Sequence, residues 1–194
     1  MKKKIKENLI YILSAVLFFA GMLVFIWLNV LQNDAVKKQL EDEANITFNT
    51  IIAHACEIYP LAEAQKLLGD EVKYEDTTIG AESNDDIEVS ACSYSTPFKN
   101  ADELSAAQTS SILIRSAKTP TGAILNRRPF ETEKPQGVID VQGYGEFAYW
   151  NQSRSQLNVY KDGNWLIFSA GPLNVNRRSL EDTRKLADII IPKI

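Results

Sequence analysis

The chain predicts an α+β domain, a mostly antiparallel sheet with helices packed on it, preceded by one transmembrane helix. Three observations point there. Residues 9–31 form a run of 23 without a charge. Beyond it, short alternating segments outnumber helical ones, and two of them flank Asp162-Gly163, the dipeptide of a tight hairpin. The last segment, 179–191, carries helical spacing behind a capping signal.

Length and composition set the limits. The 194 residues leave room for one domain beyond such a span, and 45% hydrophobic with 24% charged residues is the balance of a folded chain. A net charge of −4 argues against a nucleic-acid binder. Two cysteines and one histidine leave almost no ligands for a zinc site, and no metal or cofactor is implied.

A helix rises about 1.5 Å per residue, so about 20 apolar residues cross a hydrocarbon core. The uncharged run is too long for a secretory signal, and no small-x-small cleavage site follows it. Lys2, Lys3, Lys4 and Lys6 precede it and hold the N-terminus in the cytoplasm by the positive-inside rule. The reading is an uncleaved signal anchor. Residues 1–8 are a basic cytoplasmic tag, 9–31 the span, 32–53 a juxtamembrane linker or helix, and 54–194 an extracytoplasmic domain. In the linker, Val36, Leu40, Ala44, Phe48 and Ile51 recur at helical spacing. Sequons at Asn45 and Asn151 matter only in a host that glycosylates exported proteins.

Within the outer domain, Pro60 opens a short helix through Leu68, with Leu61, Ala64, Leu67 and Leu68 on one face and Gly69 as its stop. Residues 70–88 hold eight acids against Lys73, and the polar middle 77–84 has the composition of a mobile loop. The D-x-D-x-D-G spacing of a calcium loop is missing there. Residues 87–95 alternate as a strand, 111–117 read as a second, and 121–128 as a helix ended by Pro129. Residues 137–141 and 146–150 are further strand candidates.

The hairpin over 156–169 is the strongest local signal. A two-residue type I′ turn sets Lys161 opposite Asn164, Tyr160 opposite Trp165, Val159 opposite Leu166 and Leu157 opposite Phe168. Leu157, Val159, Leu166 and Phe168 then share the core face. Asn158, Tyr160, Trp165 and Ile167 share the other, with Tyr144 placed nearby if the preceding strand is a neighbour. Either a helix, 179–191, covers this second face, or Tyr144, Tyr160, Trp165 and Ile167 form a binding face.

The order of Cys56, the helix Pro60-Leu61-Ala62-Glu63-Ala64-Gln65-Lys66-Leu67-Leu68-Gly69, the strand Ala91-Cys92-Ser93-Tyr94 and the segment Gly143-Tyr144-Gly145-Glu146-Phe147-Ala148-Tyr149-Trp150 resembles a family of small actinobacterial cell-envelope lipoproteins of unknown function, whose domains look like the PsbP-type α/β fold. The resemblance covers residues 54–194 and implies a fold and a compartment. It departs at the anchor, because Ala53-His54-Ala55-Cys56 is a poor lipidation signal and a helix takes that role. It departs again at Glu146, where the family carries Asp.

Catalytic constellations are scarce. His54 lies two residues before Cys56, and the simpler reading of two cysteines outside the membrane is a Cys56–Cys92 disulfide. Gly143-x-Gly145 lacks the third glycine of a dinucleotide loop, and Asp140 with Glu146 are carboxylates near turns. Arg127-Arg128 and Arg177-Arg178 are basic pairs suited to anionic polymers or lipid head groups. The expectation is a non-catalytic module that meets the lipid bilayer through its anchor and binds an envelope ligand or an exported protein. The alternative is a structural or accessory subunit of a membrane complex.

Overall fold

The structure, a computed structural model, describes Phe48 and residues 53–69, 71–76, 83–98, 100, 103 and 106–194. The chain divides into two units, 1–45 and 46–194, and the described residues belong to the second. The tag 1–8, the span 9–31 and the linker apart from Phe48 and Ala53 lie outside them. Among the described residues no helix is long and apolar enough to cross a membrane.

Among the described residues seven strands form one sheet in the order β1-β2-β3-β7-β6-β5-β4, and every pairing is antiparallel. They are β1 (Lys73–Asp76), β2 (Ile87–Ser95), β3 (Gln108–Ala117), β4 (Ile139–Asp140), β5 (Phe147–Asn151), β6 (Gln156–Lys161) and β7 (Asn164–Pro172). The α-helices among the described residues are α1 (Ala55–Ile58), α2 (Leu61–Leu68), α3 (Pro120–Glu131) and α4 (Leu180–Ile190). The α+β class holds.

The hairpin forms in the register set by its turn, with Tyr160 opposite Trp165 and Leu157 opposite Phe168. Asp162 and Gly163 both take positive φ, 48° and 82°, as a type I′ turn requires. Gly163 has a second duty. A Cβ there would run into Phe48, so the chain at Phe48 passes directly over the turn.

Leu157, Val159, Leu166 and Phe168 are fully buried on one face, beneath Leu186, Ala187 and Ile190 of α4 and Ala64 of α2. Each such side chain contributes about 1.5–3 kcal/mol by burial. Ser179 caps α4 as the sequence predicts, accepting from the Asp182 amide at 3.1 Å. The same face holds a buried polar cluster under α1. Tyr59 shares a hydrogen bond of 2.7 Å with Ser110, and its carbonyl accepts from the Tyr94 hydroxyl at 2.9 Å. Every hydroxyl in this cluster has a partner, as burial demands.

Four points of the sequence reading need correction. Lys73–Asp76, in the acidic segment ahead of the expected loop 77–84 and given no element by the sequence, is a strand, because Tyr74 and its neighbours pair with the β2 end at Tyr94 and Ser95. The stretch 77–82 lies outside the described residues. Pro129 does not end the helix; α3 runs on to Glu131 because Phe130 packs into an aromatic cluster that holds its last turn. The strand expected over 137–141 shortens to Ile139–Asp140. Finally, α4 lies on the Leu157/Phe168 face, not on the Tyr160/Trp165 face, which α3 covers in part.

Cys56 of α1 and Cys92 of β2 form a disulfide with a Cα–Cα separation of 5.1 Å. Bridges of this kind belong to oxidising, extracytoplasmic compartments. Reduction is expected to lower the unfolding free energy by about 4 kcal/mol, the closure entropy for a sequence separation of 36. Denaturant unfolding with and without reductant measures it, and an unchanged midpoint would show that the exported protein carries no such bridge.

Candidate functional site

The sheet face opposite α4 is divided between a covered part and an open one. Over β5, β6 and β7, α3 lays Phe130 against Tyr149, Tyr160 and Trp165, with ring centroids 5.2, 5.9 and 6.1 Å away. Trp165 donates its indole N–H to Asn158 Oδ1 at 3.0 Å and carries the Arg115 guanidinium 5.3 Å above its ring. The fully buried Asn126 of α3 donates to the Arg115 and Gly163 carbonyls at 2.8 and 3.0 Å, pinning the helix to the sheet. At its start, Thr119 caps the helix through the Gly122 amide at 3.1 Å, and a Cβ on Gly122 would strike the Asp86 carbonyl. Only glycine lets α3 begin so close to the sheet.

Over β2, β3 and β7 a groove of about 210 Å³ remains. Its floor is a cross-strand row, Ser93 opposite Ser111 and Ser111 opposite Ser169. The next row places Ala91 opposite Leu113 and Leu113 opposite Ile167, so aliphatic side chains flank the hydroxyls. Gln156 lines the far side. At the Ser169 end stands Arg178, half-buried, its charge disfavoured by desolvation. Such a floor offers donors, acceptors and apolar edges together, which suits binding rather than bond-breaking.

The four residues predicted as a binding face do not stay together. Tyr160 is 4% exposed beneath Phe130, and Trp165 is half-buried beside it. Ile167 is a wall of the groove. Tyr144 lies apart, packed against the other core and donating to Asp188 of α4 at 2.8 Å. Burial of Tyr144, together with its bond to Asp188, pushes the phenol up to about 12. The serine row escaped the sequence reading because it exists only once β3 pairs with β7, a contact between distant segments with no local signal.

Several of the remaining candidates have structural partners. Cys56 is committed to the disulfide, and His54 precedes α1 as its N-cap in extended conformation. Asp140 is ion-paired with Lys134, and Glu146 accepts from the Asp162 amide at 3.2 Å. Arg127 pairs with Glu131 at 2.6 Å and lies over the Phe147 ring. Among the described residues no group of three or more His, Cys, Asp or Glu side chains is placed to hold a metal ion. No protein-family model, curated protein or solved structure matches the chain.

Burial raises the Tyr160 phenol from 10.0 to about 12. A raised folded-state value means that this contribution to stability is complete below pH 10 and lost as pH climbs towards about 12. Phe130→Ala removes the cover. It is expected to cost about 3–5 kcal/mol, and to bring a tyrosine titration back towards 10.0, followed by tyrosinate absorbance. A variant with wild-type stability and titration would refute the covering role of α3.

Proposed function

We propose that the chain is a non-catalytic module, anchored in the membrane by residues 9–31 with its N-terminus in the cytoplasm, whose outer domain binds an envelope ligand on the open part of its sheet. The observation that carries this reading is the groove over β2, β3 and β7, with a polar floor and aliphatic walls. The Cys56–Cys92 bridge supports the compartment. The uncharged run of 23 residues and the four lysines ahead of it support the anchor and its orientation. The motif order that resembles the actinobacterial envelope lipoproteins supports the same placement.

Two measurements test it. A reporter fused after Ile194 is expected to be active only outside the cytoplasm; activity inside overturns the topology. The full chain, methyl-labelled at Leu and Ile and held in detergent, is to be titrated with a soluble digest of cell-envelope polysaccharide. Methyl resonances of Leu113 and Ile167 are expected to shift, and Ser111→Leu, which fills the groove, is expected to abolish the shifts at unchanged thermal stability. Shifts confined to other residues, or none, overturn the groove as the binding site.

A further inference from the structure

Among the described residues, Arg178 is a half-buried cation with no carboxylate beside it. The chain leaves β7 at Pro172, makes a 3-10 turn at Val175–Arg177, and returns Arg178 over the strand it has just left. A Cβ on Gly171 would sit 3.5 Å from Arg178 Cγ. Gly171 and Ser169, two residues apart in a strand, point to one face, and Ser169 lines the groove. The guanidinium therefore lies beside Ser169, just beyond the residues that line the groove.

Its hydrogen bonds all go to neutral acceptors. Nε donates to the Pro172 carbonyl at 2.9 Å, Nη1 to Ser169 Oγ at 2.7 Å, and Nη2 to the Leu173 carbonyl at 3.4 Å. A guanidinium has five N–H donors, so the charge and part of the fork remain uncommitted. Ser169 donates its own proton to the Ser155 carbonyl at 2.9 Å, which leaves its oxygen to receive Arg178 and fixes the fork's orientation. Ser155 in turn donates to the Val175 carbonyl at 2.6 Å. That bond ties the β5–β6 turn, with Arg154, to the 3-10 turn, with Arg177. No acid lines the groove.

We propose that Arg178 and the Ser93–Ser111–Ser169 row form a subsite for the oxyanion of a sugar-sized acidic ligand, a carboxylate or phosphate on a hydroxyl-bearing body. The proposal rests on the reading of the groove as a ligand site. A planar fork matches a carboxylate or phosphate in two-point contact, and desolvation at its half-buried position strengthens that pairing. The serine hydroxyls and Gln156 supply partners for hydroxyl groups, while Leu113 and Ile167 flank the ring. At about 210 Å³ the groove takes one unit of a longer chain.

Calorimetric titration of the full chain in uncharged detergent tests this, using glucuronate and glucose 6-phosphate as probes. Glucose, inorganic phosphate and vesicles of an anionic lipid serve as the comparison arms. The acidic sugars are expected to bind, more weakly as salt rises. Arg178→Gln is expected to weaken them at least about tenfold, since a charged hydrogen-bond partner is lost. Arg178→Lys keeps the charge without the fork and is expected to fall between. Because Arg178 also braces the link between β7 and α4, Ser111→Leu provides a variant that leaves that brace untouched, and it is expected to abolish binding at an unchanged melting temperature. Glucose binding as tightly as glucuronate, with both lost in Ser111→Leu, overturns the oxyanion subsite and leaves the groove reading standing. Acidic sugars that bind regardless of Ser111→Leu overturn both. Binding of inorganic phosphate or vesicles alone, binding indifferent to Arg178, or no binding by any probe overturns the subsite.

Discussion

The pairing of β3 with β7 is the constraint on which the rest of this domain depends. It joins the β1-β2-β3 half, built before α3, to the β7-β6-β5-β4 half, built after it. Because β4 lies at the far edge, the chain must cross a sheet face between β3 and β4, and α3 is that crossing. Twelve residues of helix extend about 18 Å, whereas seven strands spread over roughly 30 Å. One helix cannot roof such a face. The opposite face receives α1, α2 and α4 and closes completely around Phe168 and Leu166. The uneven supply of helices makes one face a core and leaves part of the other as a surface.

Where α3 does cover, the sheet presents rings and amides; where it does not, it presents serines. Tyr149, Tyr160 and Trp165 need Phe130 above them, since apolar area of that size left in water favours aggregation. Ser93 and Ser111 need no cover, because their half-buried hydroxyls can bond to water or to a ligand, while Ser169 is buried with its hydroxyl bonded to Ser155 and Arg178. The composition of the face thus follows the reach of the helix. On the other side, the disulfide closes α1 onto β2 where Tyr59 and Tyr94 meet edge to face at 5.2 Å, so covalent and polar restraints act on the same junction. That junction holds the start of the domain against β2 and β3, with Ala53 and Ala55 amides donating to Ser116 and Ser90.

How far the sequence could be read followed the distance over which each signal acts. The hairpin register, the Ser179 cap and the strand Ile87–Ser95 rest on neighbours a few residues apart, and they are as expected. Lys73–Asp76 was hidden because strand formation there comes from pairing with β2, against a local run of acids that disfavours it. Pro129 misled for the same reason, its local cost being outweighed by the packing of Phe130 two strands and a turn away. The hairpin gave the two faces correctly but not which helix meets which. That assignment depends on crossing the sheet, and no window of residues encodes it. Tyr144 was grouped with Tyr160 on an assumption of adjacency, whereas the turn at Gly143 and Gly145 sends it to Asp188 on the opposite side.

The same reasoning explains why a binding surface here would be quiet in sequence. Serine is common and carries no signature at any one position, so three of them become a site only through registers set by two separate pairings. Arg178 is likewise one basic residue among many until β7 turns back and Gly171 makes room for its side chain. Once placed, it differs in kind from Arg127, whose charge is paired with Glu131 and lies over an aromatic ring. A guanidinium held by two carbonyls and a hydroxyl is braced but not neutralised. Because its partners come from β7 and the residues just after it, it keeps its orientation whether or not anything occupies the groove. A fork oriented in advance loses little further freedom on meeting an anion, and that preorganisation separates a recognition group from a surface charge.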